Sequence, residues 1–242
     1  MKKPRLSVVI PTLQEEKYLK IALDSLKKQT FKDFEIIIAD GGSKDKTVAI
    51  AKKYTDKVFV FDGANVCLSR DKGTRLAEGD IIAGADADTF YPENYLETVL
   101  QVFDKNKDAS AMSGKIYFYN CPWWWKPVWW IFYSLFEAIY IFTGKVVYAP
   151  ALNLAFRKSA FLKVNGYNTK LDFGGDEIDF LMRLKQAGKI HYITKPVPQT
   201  HSRRLKIGIS RYFFVQLLYN YWLNYLTAKI LGKAIIKAKP VR

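Results

Sequence analysis

The chain has 242 residues, 49% of them apolar, enough for one large domain with a substantial core or a domain with an appendage. Lys and Arg number 38 against 23 Asp and Glu, and the formal charge of +15 favours an anionic partner: nucleic acid, an acidic membrane surface or a phosphorylated substrate. Two distant cysteines, Cys67 and Cys121, and two histidines, His191 and His201, argue against a zinc site built from Cys and His.

The low cysteine count fits a reducing cytosol. Met1-Lys-Lys-Pro-Arg5 leads straight into a short apolar run, so no signal peptide is expected. Leu6 to Ile10 has the composition of a buried strand, closed by Pro11-Thr12. Gln14 to Gln29 has helical spacing, with Leu19, Leu23 and Leu26 on one face and lysines on the other. Phe34 to Ala39 is a second buried strand, ending at Asp40-Gly41-Gly42-Ser43. A helix is expected over Asp45 to Tyr54, a strand over Val58 to Phe61, and a helix over Leu68 to Ala77. Strands alternating with helices of this length imply βαβ units and a mostly parallel sheet. Gly41 and Gly42 fit neither the dinucleotide-binding pattern nor the P-loop, so they are expected to be turn glycines. Asp40 differs, because it stands at a strand's carboxyl end, where open α/β sheets bind ligands.

Residues 81 to 89 read Ile-Ile-Ala-Gly-Ala-Asp86-Ala-Asp88-Thr89. This is an apolar run ending in two carboxylates spaced i, i+2, which would share a face if the strand ran through them. Two hard oxygen ligands there suit Mg²⁺ or Mn²⁺ carrying a substrate diphosphate. An acidic turn after a strand is the plainer reading of the same residues.

Residues 123 to 142 hold Trp123, Trp124, Trp125, Trp129 and Trp130 among Phe, Tyr and Ile. Lys126, Pro127 and Glu137 interrupt the run, and it is short for a membrane span. One crossing would also put Asp88 and Glu177 on opposite sides of a bilayer. An interfacial helix is therefore expected, with a buried aromatic core or an oligomer contact as the alternative. The tail from Leu205 to Arg242 has a second aromatic stretch, Tyr212 to Leu226, with Gln216, Asn220 and Asn224 as a polar stripe. The basic residues Lys229, Lys233, Lys237, Lys239 and Arg242 follow it. That pattern fits an amphipathic helix on anionic lipid, or a helix packed on the main domain. Nucleic acid fits poorly, because the aromatics cluster with aliphatics rather than with the basic residues.

Four segments together resemble the inverting family 2 glycosyltransferases of the GT-A fold: Ser7-Val-Val-Ile-Pro-Thr-Leu-Gln-Glu-Glu16, Phe34 to Thr47, Ala77 to Asp88, and Gly175-Asp-Glu-Ile-Asp-Phe-Leu-Met-Arg-Leu184. The resemblance runs from about Ser7 to Arg204. It implies a catalytic domain over residues 1 to 204, interrupted at 123 to 144, with residues 205 to 242 as the membrane-associating helix. It places Thr12 and Glu15 near the nucleotide's base and ribose, Asp40 on the base, with Asp45 supporting that loop, and Arg70 near the nucleotide. Asp86 would meet ribose or metal and Asp88 would ligate the metal, with His201 as a further ligand. Asn153 falls in a segment similar to one lining the acceptor side. Arg203 and Arg204 resemble a pair that reaches the diphosphate. The usual Asn of the opening loop is Gln14 here, and the usual Glu-Asp pair is reversed as Asp176-Glu177. Either carboxylate can serve as catalytic base, and position favours Glu177. Crowding of Asp176, Glu177 and Asp179 would raise one pKa toward the working range.

The resemblance thus implies a metal-dependent transferase at the cytoplasmic face of a membrane. It would move a sugar from a nucleotide diphosphate sugar to a lipid hydroxyl, a lipid-linked saccharide or a polyprenyl phosphate. A non-catalytic membrane-binding scaffold on the same fold is the alternative. A nucleotidyltransferase lacks the glycine-rich basic loop after the first strand, and a homo-oligomer remains open.

Overall fold

A computed structural model of the chain describes residues 3–171 and 176–203. The first half follows the expected alternation: β1 (Leu6–Thr12), α1 (Leu19–Lys27), β2 (Phe34–Asp40), α2 (Thr47–Ala51), β3 (Val58–Val60), α3 (Val66–Leu76) and β4 (Ile81–Gly84). The second half comprises β5 (Thr89–Phe90), α4 (Tyr95–Lys105), β6 (Ala109–Gly114), β7 (Tyr117–Tyr119), α5 (Trp125–Thr143), a 3₁₀ turn at Ala151–Asn153, β8 (Leu154–Arg157), α6 (Lys158–Lys163), α7 (Asp176–Leu184), β9 (Lys189–Ile193) and β10 (Gln199–His201).

Seven strands form one sheet in the order β3-β2-β1-β4-β8-β6-β9. β8 runs antiparallel to both of its neighbours, and the other pairs are parallel. Such a sheet is covered on both faces, so its strands are continuously apolar. Successive residues of β1 serve opposite faces. Val8 and Ile10 pack with Leu19, Leu23 and Leu26 of α1 and with Val99 and Phe103 of α4. Val9 packs on the other face with Ile37, Ile82, Phe156, Phe161 and Phe180. A small sheet, β5-β10-β7, lies where the polypeptide leaves Asp88.

Several boundaries differ from the sequence expectation. α1 starts at Leu19, because Gln14 adopts a left-handed φ of 59° and the chain turns through residues 15 to 18 before coiling. α2 is shorter than expected: Asp45 accepts hydrogen bonds from the N–H and hydroxyl of Thr47, holding the turn before the helix. β4 stops at Gly84, so Asp86 and Asp88 lie in the connection to β5 and not on a strand. α5 keeps Pro127 in its first turn, where a missing N–H costs little. The C-terminal helix expected over 205 to 242 lies outside the described residues.

Gly79 turns the chain into β4 against β1. A Cβ there would stand 2.6 Å from the Ser7 amide nitrogen and 2.7 Å from the Leu6 carbonyl carbon. Both are backbone atoms of a central strand, which cannot swing away. Gly79→Ala is expected to destabilise the fold by about 1–3 kcal/mol, seen as a lower denaturant midpoint with an unchanged m-value.

Candidate active site

The carboxyl ends of β1, β2 and β4 bring the acidic positions to one side of the sheet. Thr12 and Asp40 are register partners at the ends of β1 and β2. Asp40 is fully buried. One carboxylate oxygen accepts the Gly42 and Ser43 amides at 2.9 and 2.6 Å. The other accepts the Thr12 and Ser43 hydroxyls, both at 2.7 Å. Four bonds fill the acceptor capacity of a carboxylate. Asp40 therefore organises the turn, and Gly42, at φ +95°, supplies its left-handed step.

Glu15 and Arg203 lie 188 residues apart and form a bidentate pair at 2.7 and 2.9 Å. The Arg203 guanidinium covers the Tyr18 ring at 4.9 Å, and its Nε lies 2.8 Å from an Asp88 carboxylate oxygen. That last approach is ionic, since the N–H is not aligned for a hydrogen bond. Asp88 is buried and accepts the Thr200 hydroxyl at 3.1 Å. Burial raises the Glu15 pKa while the pairing with Arg203 opposes it. Arg203 is itself held protonated by Glu15 and Asp88 against the cost of burial.

Arg70, on α3, is the centre of a second cluster. Its guanidinium reaches Asp86 at 3.2 Å through one nitrogen, and through another Asp176 at 3.2 Å and Glu177 at 3.9 Å. Sequence position suggested a place beside the nucleotide. The structure sets Arg70 between the acidic motif after β4 and the acidic start of α7. Asp176 is buried, whereas the Glu177 side chain keeps 18% of its surface exposed. Glu177 accepts the Ala151 N–H at 3.1 Å. Burial, then the neighbouring Asp176 charge, push its pKa up to about 8, with Arg70 opposing. Asp179 pairs with Arg183 one turn along at 2.7 Å.

His201 adjoins Asp88 through the small sheet, and its Nδ1 accepts the Arg203 amide at 3.0 Å. The ring packs between Tyr18 and Tyr119 at 5.0 and 5.2 Å. Asn153 is buried, accepting the Tyr95 hydroxyl and donating to the Lys115 carbonyl, and so is structural here. Arg204 lies outside the described residues.

Among the described residues no group of three or more His, Cys, Asp and Glu side chains could cage a metal. The donor set still fits Mg²⁺ or Mn²⁺ brought by a diphosphate, because such an ion takes one or two carboxylates and fills its shell with phosphate oxygens and water. Asp86 and Asp88 supply carboxylates of that type, and in this structure two arginines balance their charge.

Two participants were not singled out from the sequence. Thr200 holds Asp88. Tyr91, fully buried, donates its hydroxyl hydrogen to the Leu152 carbonyl at 3.1 Å and accepts the Asp86 N–H at 3.2 Å. Thr200 adjoins His201, so the segment was in view. A lone tyrosine five residues past Asp86 carries no sequence signal.

The topology and this arrangement are those of a nucleotide-sugar transferase fold, and comparison with known proteins gives the family. The family model described as "Glycosyl transferase family 2" matches residues 7–164, and the chain belongs to that family. A glucosyl-dolichyl phosphate glucuronosyltransferase of Haloferax volcanii is 26% identical over 193 residues, covering 72% of this chain and 59% of the relative. Two solved structures share the GT-A fold. S. aureus TarS has a TM-score of 0.68 and 19% identity, covering 96% of this chain and 41% of that one. The mannosyltransferase PcManGT of Pyrobaculum calidifontis, in complex with GDP-Man and Mn²⁺, has a TM-score of 0.65 and 17% identity, covering 82% and 57%. In two further curated relatives, of Rickettsia typhi and Methanocaldococcus jannaschii, the chain spans 36% and 43% of their length.

Proposed function

We propose that the protein is a metal-dependent, inverting glycosyltransferase that moves a sugar from a nucleotide diphosphate sugar to a hydroxyl of a membrane-associated acceptor. One observation carries the reading: the Arg70 guanidinium lies 3.9 Å from Glu177, whose pKa burial raises, and 3.2 Å from Asp86 of the acidic donor motif. Donor-side and acceptor-side groups would then share one cation. The acceptor oxygen would attack the anomeric carbon as Glu177 takes its proton. The bond from that carbon to the diphosphate oxygen would break, its electron pair leaving with the nucleoside diphosphate. Asp88 and Asp86 would hold Mg²⁺ or Mn²⁺, which when bound neutralises charge on the leaving group. Arg203, paired with Glu15 here, would add positive charge at the same place, and Thr12 and Asp40 would shape the nucleotide's loop.

Support for the donor and metal comes from PcManGT, whose complex holds GDP-Man and Mn²⁺. Support for a lipid-linked acceptor comes from the Haloferax relative, whose name specifies glucosyl-dolichyl phosphate. A hydroxyl acceptor is favoured over a phosphate, since an ionised phosphate needs no base of raised pKa. The place of action would be the cytoplasmic face of a membrane.

Thermal unfolding with UDP, GDP, CDP or dTDP, each with and without Mn²⁺, tests the donor site. One nucleotide is expected to stabilise the fold only with metal, by about 2.7 kcal/mol at a hundredfold excess over Kd. Asp88→Ala should abolish the shift. Folded protein that responds to no nucleotide would overturn the reading.

A further inference from the structure

α5 is apolar on both sides. Its inner side, Trp125, Trp129 and Tyr133, packs with Ile116 and Leu152. Its outer side is apolar where an ordinary surface helix is charged. Trp130 is 65% exposed, Ile131 62%, Leu135 59%, Ile141 70% and Phe142 87%. A contiguous exposed stripe of this kind marks a surface with a partner. The helix runs 19 residues, about 28 Å at 1.5 Å per residue. Among the described residues no helix is long and apolar enough to cross a membrane, so burial along the helix side is the geometry available.

Charge selects the partner. Exposed Lys126 and Lys145 stand at the two ends of the stripe, and the chain carries +15. Residues 204 to 242 alone contain eight Lys and Arg with no Asp or Glu. A second copy would bring two strongly positive chains together, whereas anionic lipid headgroups reverse that sign. Trp rings with an apolar body and a polar N–H also suit the headgroup boundary.

We infer that the outer face of α5, from Trp130 to Phe142, is a docking surface for an anionic lipid bilayer. Its inner face packs on Leu152, next in the chain to Ala151, whose N–H holds Glu177. Docking would thus lay the bilayer one helix thickness from the catalytic base, which makes the acceptor a membrane-borne molecule. That last step rests on the transferase reading above; the docking itself does not.

The test is sedimentation of the full chain with vesicles of phosphatidylcholine alone or mixed with phosphatidylglycerol, comparing the natural protein with the triple variant Trp130→Ser, Ile131→Ser, Phe142→Ser. Partitioning onto the anionic vesicles is expected, with a fall of at least about tenfold in the variant. The variant should keep the natural melting temperature, since these side chains are exposed. Three results would overturn the inference: no binding to anionic vesicles, equal binding by the variant, or a dimer in solution that the same substitutions convert to monomer. If the folded protein responded to no nucleotide, the transferase reading would fall while the vesicle result stood.

Discussion

Glu177→Gln is expected to lower the rate of sugar transfer by about 10²–10⁴-fold with nucleotide binding unchanged. The amide keeps an oxygen for the Ala151 N–H, so the loop loses no hydrogen bond, but it cannot take a proton. The effect therefore falls on kcat rather than on KM. Full turnover by the folded variant would remove Glu177 as the base. The pH dependence has a definite sign. Burial and Asp176 raise the folded-state pKa of Glu177 from the ordinary carboxylate value to about 8. The folded state binds the proton more tightly, so this residue's contribution to stability is complete below the unfolded pKa and is lost as pH rises to about 8. The slope can reach about 1.4 kcal/mol per pH unit. Activity runs the opposite way, rising with pH as the carboxylate ionises. Denaturant unfolding at pH 5, 7 and 9 should show the falling limb in the natural protein and a flatter one in Glu177→Gln.

Arg70→Met is expected to cost about 3–5 kcal/mol of stability, because it removes the cation shared by Asp86, Asp176 and Glu177 and leaves buried carboxylates facing one another. Two of its nitrogens serve opposite sides of the site, a fork that a lysine's single ammonium cannot copy, so Arg70→Lys should recover only part of the loss. The deficit should shrink at low pH, where the carboxylates protonate. Denaturant midpoints at pH 5 and pH 7 check this. An unchanged midpoint at pH 7 would mean that the cluster is balanced without Arg70.

Why the first half of the chain was legible is clear from β1, β2 and β4. Each is a short apolar run closed by Pro, Gly or Asp, and α1 and α3 between them repeat at helical spacing. The antiparallel part was not legible. β5, β7, β8 and β10 have two to four residues each, too few for a period of two to show, and they are paired by contacts distant in the chain. The same limit governs the site. Acidic motifs stand out because their carboxylates are neighbours in sequence. Arg70 meets Asp176 across 106 residues, and Glu15 meets Arg203 across 188, separations that leave no local pattern. Packing of α3 against the sheet is what brings Arg70 to Asp86 on one side and to Asp176 and Glu177 on the other.

Tyr91 bears on how such a site stays aligned. Its one oxygen joins the Asp86 amide to the Leu152 carbonyl, 61 residues further along the chain. Burial, with the Tyr95 ring and Asp86 beside it, raises its pKa well above the ordinary phenol value. The strip that would cradle the departing diphosphate and the strip beside Glu177 are thus pinned to a single ring. In the proposed reaction, that one ring would hold the direction from nucleophile to leaving group.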